Sequence, residues 1–228
     1  MDRKTHILRS NEAYNLITNA IAQNRKIKDG KLLTPSEVEE LIYYLLKDIY
    51  KDKYIRLTND NENEQQRIID QLRYGDIVIR LPKEDLNVEV KSEKPYKGLY
   101  YRLRIDLVYR EKYNITKSYD QENTNNDLGW AYKIGNYDKI YVHFHDPTNK
   151  YKFMVFVINN PWKLYIDCME AVKGDFGTYN INQVEFDVFR NNNDRKKTTI
   201  NASFNLLSYE ARVRYDIDII YLEVRSED

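Results

Sequence analysis

The chain has 228 residues and a mass of 27.5 kDa, with 42% hydrophobic and 32% charged residues. That composition is too apolar for a disordered chain, and its longest apolar run, Phe153 to Ile158, falls far short of the roughly 20 residues that span a bilayer. The charges balance at 36 basic against 36 acidic, which argues against a protein that coats nucleic acid non-specifically, since such proteins must replace many phosphate counterions. Cys168 is the single cysteine, so a disulfide framework and a cysteine-rich zinc site are excluded. Met1 to His6 leads into no apolar segment of the secretory kind, and a cytoplasmic location without membrane contact is the expectation.

In chain order, a first helix is expected over Asn11 to Gln23, with Asp29-Gly30 as a turn. Thr34-Pro35-Ser36-Glu37 reads as an N-cap, a proline at the first helical position and a capping-box glutamate. Behind it Val38, Leu41, Ile42, Leu45, Leu46 and Ile49 repeat at helical spacing to about Tyr50. Thr58 to Gln66 is polar and is expected to be a loop. The period then changes to two: Gly75 to Leu81 alternates as a strand, Pro82 to Asp85 turns, and Asn87 to Lys91 returns.

Further on, Leu103, Ile105, Leu107 and Tyr109 alternate with Arg102, Arg104, Asp106 and Arg110, predicting a strand with one charged face. An Asn-rich loop over Gln121 to Asp127 follows, then a short segment around Trp130. Strands are expected over Lys139 to Phe144 and Phe153 to Ile158, and a helix opening at Asn160-Pro161 and stopping at Gly174. The C-terminal part reads as strand, polar turn over Asn191 to Lys197, strand, short helix and strand. The pattern predicts an α/β (α+β) fold in a single domain over residues 1–228, with a mixed central sheet flanked by helices. Its core spans about 34–174, and a C-terminal β elaboration spans about 175–228.

The hairpin carrying Asp76, Glu89 and Lys91 holds the chemistry. Side chains two apart on a strand share a face, so Glu89 and Lys91 point together while Val88 and Val90 enter the core. Pairing with the preceding strand brings Asp76 beside Glu89. Two adjacent carboxylates repel unless a cation lies between them, and hard oxygen ligands favour Mg²⁺. A lysine beside such a cation can position water and stabilise charge on a phosphate. Acid-x-Lys triplets occur also at Asp2-Lys4, Asp29-Lys31 and Asp194-Lys196, but only Glu89-Lys91 has β-branched apolar flanks and a preceding strand that begins with Asp.

Gly75-Asp76-Ile77-Val78 followed by Val88-Glu89-Val90-Lys91 resembles the PD-(D/E)XK nuclease superfamily, most closely a type II restriction endonuclease. Gly75 stands where the motif name has Pro. The resemblance covers roughly the middle half of the chain. It implies a restriction-endonuclease-like core of helix, three-stranded meander, helix and further strand. It also implies a Mg²⁺-dependent endonuclease acting on double-stranded DNA, with Asp76 and Glu89 holding the metal and Lys91 orienting the attacking water. Many members place a glutamate on the first helix; Glu39, at the edge of the apolar stripe, is the candidate, whereas Glu40 falls on the back. A homodimer cutting a short palindrome is further implied. A junction resolvase, a phage recombination or RNA endonuclease, or a non-catalytic nucleic-acid-binding module with the same fold are the alternatives.

Phosphate contacts are expected from Lys94, Lys97, Arg102 and Arg104. Base readout is expected from the two Asn-rich loops, through Asn123, Asn125, Asn126, Asn191, Asn192, Asn193, Arg195, Lys196 and Lys197. His143 and His145 are expected to be exposed sheet residues and Cys168 a core residue. Asp216 and Asp218 belong to a strand with a solvated face.

Overall fold

A computed structural model describes residues 4–23, 32–60, 63–93, 101–111, 130–146, 148–173, 176–191 and 197–227. The chain begins with strand β1 (Lys4–Arg9) and helix α1 (Asn11–Ala22), whose N-cap Ser10 accepts a hydrogen bond from the Ala13 N–H. Helix α2 (Pro35–Ile49) starts at the expected capping box, Thr34 and Glu37 each closing on the other's backbone N–H. Such a box contributes about 1 kcal/mol and sets where the helix begins. Strand β2 (Tyr54–Leu57) leads through a 3-10 turn at Thr58–Asp60 into helix α3 (Glu64–Tyr74). The meander continues with β3 (Ile77–Arg80) and β4 (Asp85–Glu93), as the alternation predicted.

Next come β5 (Arg102–Glu111), a 3-10 helix over Trp130–Asn136, β6 (Lys139–His145) and β7 (Lys152–Ile158). Helix α4 (Pro161–Val172) precedes the hairpin β8 (Gly177–Ile181) and β9 (Val184–Asn191). Strand β10 (Lys197–Asn205), helix α5 (Tyr209–Tyr215) and β11 (Ile217–Arg225) complete the described chain.

The strands form a seven-stranded sheet in the order β1-β11-β7-β6-β4-β3-β2 and a four-stranded sheet in the order β5-β10-β9-β8. The larger sheet is mixed: β1/β11 and β4/β6 are parallel pairs, and its other pairs are antiparallel. Residues from both ends of the chain thus build one sheet, with β11 between β1 and β7. The fold is mixed α/β with a mixed central sheet flanked by helices, as the sequence pattern indicated. No helix among the described residues is long and apolar enough to cross a membrane.

Both faces of the large sheet are covered. On one face Ile77, Ile79, Val88, Val90, Val155 and Val157 pack under Leu41, Ile42 and Leu45 of α2 and Ile17 of α1. On the other, Ile140, Val142, Phe144, Phe156 and Ile158 meet Leu103, Ile105, Phe186 and Phe204 of the second sheet and Leu164 and Cys168 of α4. A sheet buried on both sides reads as near-continuous apolar runs, which is what β6 and β7 show. Each fully buried large side chain contributes roughly 1.5–3 kcal/mol by transfer from water.

That double coverage corrects the expectation for the two histidines. His143 and His145 share the face of Tyr141, and they are buried at 3% and 8% exposure, each ring against Phe153. Alternation in sequence implies an outer face for them only if the strand is half-buried, which β6 is not. A second correction concerns Thr58 to Gln66: helix α3 begins inside that segment at Glu64, capped by the Asn63 side chain on the Gln66 N–H. Its first turn, Glu64 to Arg67, is wholly polar, so the start of the helix carries no apolar signal. Strand β1 was not anticipated.

Burial holds the His145 imidazole below its ordinary pKa, against the opposing effect of a hydrogen bond with the Lys150 main chain. The unfolded chain therefore binds this proton more readily than the folded one, and stability is lost as pH falls through the ordinary histidine range near 6.5. Denaturant unfolding at pH 7.5 and 5.5 should show this loss, and His145→Asn should flatten the dependence. An unchanged slope in the variant would assign the acid sensitivity to other groups.

Candidate active site

Helix α3 ends at Gly75, whose φ of 78° is a conformation that side chains rarely adopt. A Cβ there would lie 2.7 Å from the Val88 carbonyl oxygen, so only glycine lets the chain turn this close to β4. The following residue, Asp76, donates its N–H to the Val88 carbonyl at 2.9 Å. Thr58 is fully buried beneath this corner. Its hydroxyl donates to the Gly75 carbonyl at 2.7 Å, and its N–H donates to the Asp76 carbonyl at 2.9 Å.

Strand β3 proper begins one residue later, pairing Ile77 with Val88. Asp76 Oδ2 accepts the Val90 N–H at 2.8 Å, so a side-chain carboxylate replaces the next ladder bond. This places Asp76 against the Glu89-Val90-Lys91 stretch. Glu89 is buried at 5% exposure, and the Lys91 ammonium donates to its Oε1. The same oxygen accepts the Trp130 indole N–H at 2.9 Å, and the Lys91 Nζ sits 4.7 Å from the centre of that indole ring. The Tyr137 hydroxyl also hydrogen-bonds Glu89.

Glu39 reaches the cluster from α2. Asn59 donates to its Oε2 at 2.5 Å, and Gln71 of α3 in turn donates to Asn59 Oδ1 at 2.5 Å. Glu40, one residue on, accepts from the Tyr44 hydroxyl at 3.1 Å instead. The structure therefore brings together Asp76, Glu89, Lys91 and Glu39.

Three carboxylates here face a single ammonium. Burial, then repulsion from Glu89 and Glu39, pushes the Asp76 carboxyl up to about 8, despite Lys91 and the Val90 N–H. Burial also raises Glu39, with Glu89 adding to the rise and Asn59 opposing it. Burial alone would lower the Lys91 ammonium, but attraction to Glu89 and Asp76 reverses the sign and holds it above its ordinary value. A cluster with surplus buried negative charge and hard oxygen donors fits a divalent cation.

Among the described residues no group of three or more His, Cys, Asp and Glu side chains forms a metal cage. Mg²⁺ does not require one, because it keeps several waters and takes one or two carboxylates from the protein. Asp76 and Glu89 are the two that would hold it.

The remaining site expectations fall elsewhere. Arg102 and Arg104 lie on β5 in the second sheet. Arg102 is committed to Asp187 at 2.6 Å and to the Ser203 carbonyl at 2.9 Å, whereas Arg104 is exposed. Lys94, Lys97, Asn123, Asn125, Asn126, Asn192, Asn193, Arg195 and Lys196 lie outside the described residues. Asn191 ends β9 and Lys197 begins β10, and their side chains also lie outside the description. Sequence reasoning missed Thr58, Asn59, Gln71, Trp130 and Tyr137. The signal available for Trp130 was chemical: a partly buried indole N–H needs an acceptor. No protein-family model, curated protein or solved structure matches the chain.

Two outcomes follow from this geometry. Asp76→Asn removes one of three converging negative charges while keeping an oxygen for the Val90 N–H. It should raise the melting temperature in chelator at pH 9, where Asp76 is ionised, by ~2–4 °C for each kcal/mol gained, and change it little at pH 6.5, where Asp76 is already protonated. A lower melting temperature would show that the carboxylates do not repel as placed. Gly75→Ala combines a disfavoured φ with a backbone clash and should cost about 1–3 kcal/mol in urea unfolding. A neutral result would mean that the α3–β3 corner is not as tight as 2.7 Å implies.

Proposed function

We propose that this chain is a Mg²⁺-dependent endonuclease of the PD-(D/E)XK type that hydrolyses phosphodiester bonds in double-stranded DNA. The observation that carries the reading is the convergence of Asp76, Glu89, Lys91 and Glu39 at the start of β3. They come from three separate elements; the sequence pattern points to Asp76, Glu89 and Lys91, and the resemblance implies Glu39. The order of elements supports it further. Helix α2 is followed by the antiparallel meander β2-β3-β4, and β6 then lies parallel to β4. That order, with α3 inserted between β2 and β3, is compatible with the helix, meander and further strand that the resemblance implies. In the crossover from β4 to β6, β5 and a 3-10 helix are the described elements where that core has an α-helix.

The chain's own residues supply most of the chemistry. A Mg²⁺ held by Asp76 and Glu89 would add Lewis-acid charge at the scissile phosphate. Lys91, held above its ordinary pKa, remains an ammonium at neutral pH, where it can orient the attacking water and balance charge building on the phosphate oxygens. Glu39, fixed by Asn59, offers an oxygen to the proton side of that water. Water adds to phosphorus as the P–O bond to the leaving sugar oxygen breaks, and that oxygen takes up a proton. Balanced overall charge favours cutting at selected sites over coating DNA. A type II restriction-like homodimer cutting a palindrome is the form we propose.

Plasmid DNA incubated with the protein and Mg²⁺ should be cut into discrete bands. Asp76→Ala and Glu89→Ala should abolish cutting, and Lys91→Ala should reduce it ~100–1000-fold, as expected for loss of one preorganised charge. Undiminished cutting by any of these variants would sink the assignment. Smearing or branch-dependent cutting would point to another nuclease of the same type. Cation binding without cutting under any condition would point to a binding module.

A further inference from the structure

Glu89 and Lys91 are joined by a side chain that lies 39 residues beyond Lys91, on a different element. The Trp130 indole N–H donates to Glu89 Oε1 at 2.9 Å, while the Lys91 Nζ lies 4.7 Å from the centre of the same ring. The edge of one rigid ring therefore holds the carboxylate and its face holds the ammonium. An indole has the strongest cation-attracting face of the aromatic side chains and one N–H donor in its plane, so it can make both contacts at once.

The ring's seat is itself built. It opens the 3-10 helix Trp130–Asn136, and the same segment leads to Tyr137, whose hydroxyl also bonds Glu89. Behind it, Gly135 packs so closely on α4 that an added Cβ would lie 3.2 Å from the Trp162 ring and 3.3 Å from Tyr165.

We propose that Trp130 is the positioning residue of the candidate active site, setting the separation and orientation of the Glu89 carboxylate and the Lys91 ammonium through its N–H edge and its ring face. The inference rests on the nuclease reading for its cation and cleavage consequences. Glu89 has one oxygen shared among Lys91, Trp130 and its own geometry on β4. Removing the indole N–H frees that carboxylate to rotate about the oxygen it shares with Lys91. Removing the ring frees the ammonium as well. A residue that orients a metal-holding carboxylate without touching the metal commonly changes cation affinity or activity by 10–100-fold when replaced.

The test uses two replacements and two kinds of readout. Trp130→Phe keeps an aromatic face and loses the N–H, whereas Trp130→Leu loses both. The midpoint of Mg²⁺-induced thermal stabilisation should rise about 10-fold or more in each variant. Plasmid cleavage should fall further in Trp130→Leu than in Trp130→Phe. A purely structural tryptophan would lower the melting temperature in chelator and leave the Mg²⁺ midpoint unmoved, and that result would overturn the proposal.

The second readout is independent of any activity. The chain has 2 tryptophans, so Trp162→Phe leaves Trp130 as the sole indole emitter. In that background Lys91→Met and Glu89→Gln should each shift the emission maximum without any cation present. Unchanged emission in both would overturn the clamp. If the unmodified protein neither responds to Mg²⁺ nor cuts DNA, the nuclease reading fails by itself, and the emission shifts alone decide whether Trp130 holds the pair.

Discussion

Asp76 completes the β3–β4 ladder with its side chain, and the candidate site exists because it does. A strand pair continued in the ordinary way would satisfy the Val90 N–H with a backbone carbonyl and leave no gap beside Glu89. Here the chain turns out of α3 at a glycine, and the carboxylate takes the N–H at 2.8 Å. The backbone stays hydrogen-bonded, as buried N–H groups must. One consequence is a notch at the start of β3 where β4 is flanked by side chains instead of a strand. Thr58 beneath the corner holds that notch, with its hydroxyl on the Gly75 carbonyl and its N–H on the Asp76 carbonyl.

The notch is electrostatically expensive. Buried charge is costly unless paired, and Lys91 balances only one of three acids. The protein answers with hydrogen bonds at every acid: Val90 to Asp76, Asn59 to Glu39, and Trp130 and Tyr137 to Glu89. These bonds fix the acids in place but do not offset their repulsion, which together with burial keeps Asp76 largely protonated near neutral pH; a bound cation would relieve it. Functional sites commonly hold destabilising charge of this kind, at some expense to stability.

How much of this was legible in sequence depended on range. The period of two in Ile77 to Ile79 and Val88 to Val90, and the acid-x-Lys triplet between apolar residues, placed the hairpin and three of its polar groups correctly. Glu39 was legible only because the resemblance implies a glutamate on the first helix, and helical angle then distinguishes it from Glu40. Alternation could not reveal that β6 is covered on both faces, since that depends on β5, β9 and β10, which join the fold through long-range pairing. The two histidines were misplaced for that reason. The start of helix α3 was illegible because its first turn, Glu64 to Arg67, is wholly polar, and its Asp70 is buried in a pair with Arg56 at 3.1 Å. Trp130 and Tyr137 meet Glu89 from 41 and 48 positions away, beyond any local pattern.

The crossover between the parallel strands β4 and β6 is where fold and site become one structure. A parallel pair requires a long connection, and that connection must come back into register. Its return is fixed at Asp138, whose N–H donates to the Asn87 carbonyl at 2.9 Å and whose carboxylate accepts the Asn87 N–H at 2.7 Å. Asn87 lies two residues before Glu89 on β4. The residue preceding Asp138 is Tyr137, with its hydroxyl on Glu89, and the 3-10 helix before that carries Trp130. The register of β6 against β4 therefore also sets where the two aromatic donors meet the acid. A slip of one residue at Asp138 would turn β6 to the opposite face of the sheet and withdraw both donors from Glu89 together. Because the apolar runs of β6 and β7 are buried on both faces, alternation alone specifies that register weakly. The paired hydrogen bonds at Asn87 and Asp138, with the close seat of Gly135 on α4, supply what the hydrophobic pattern cannot.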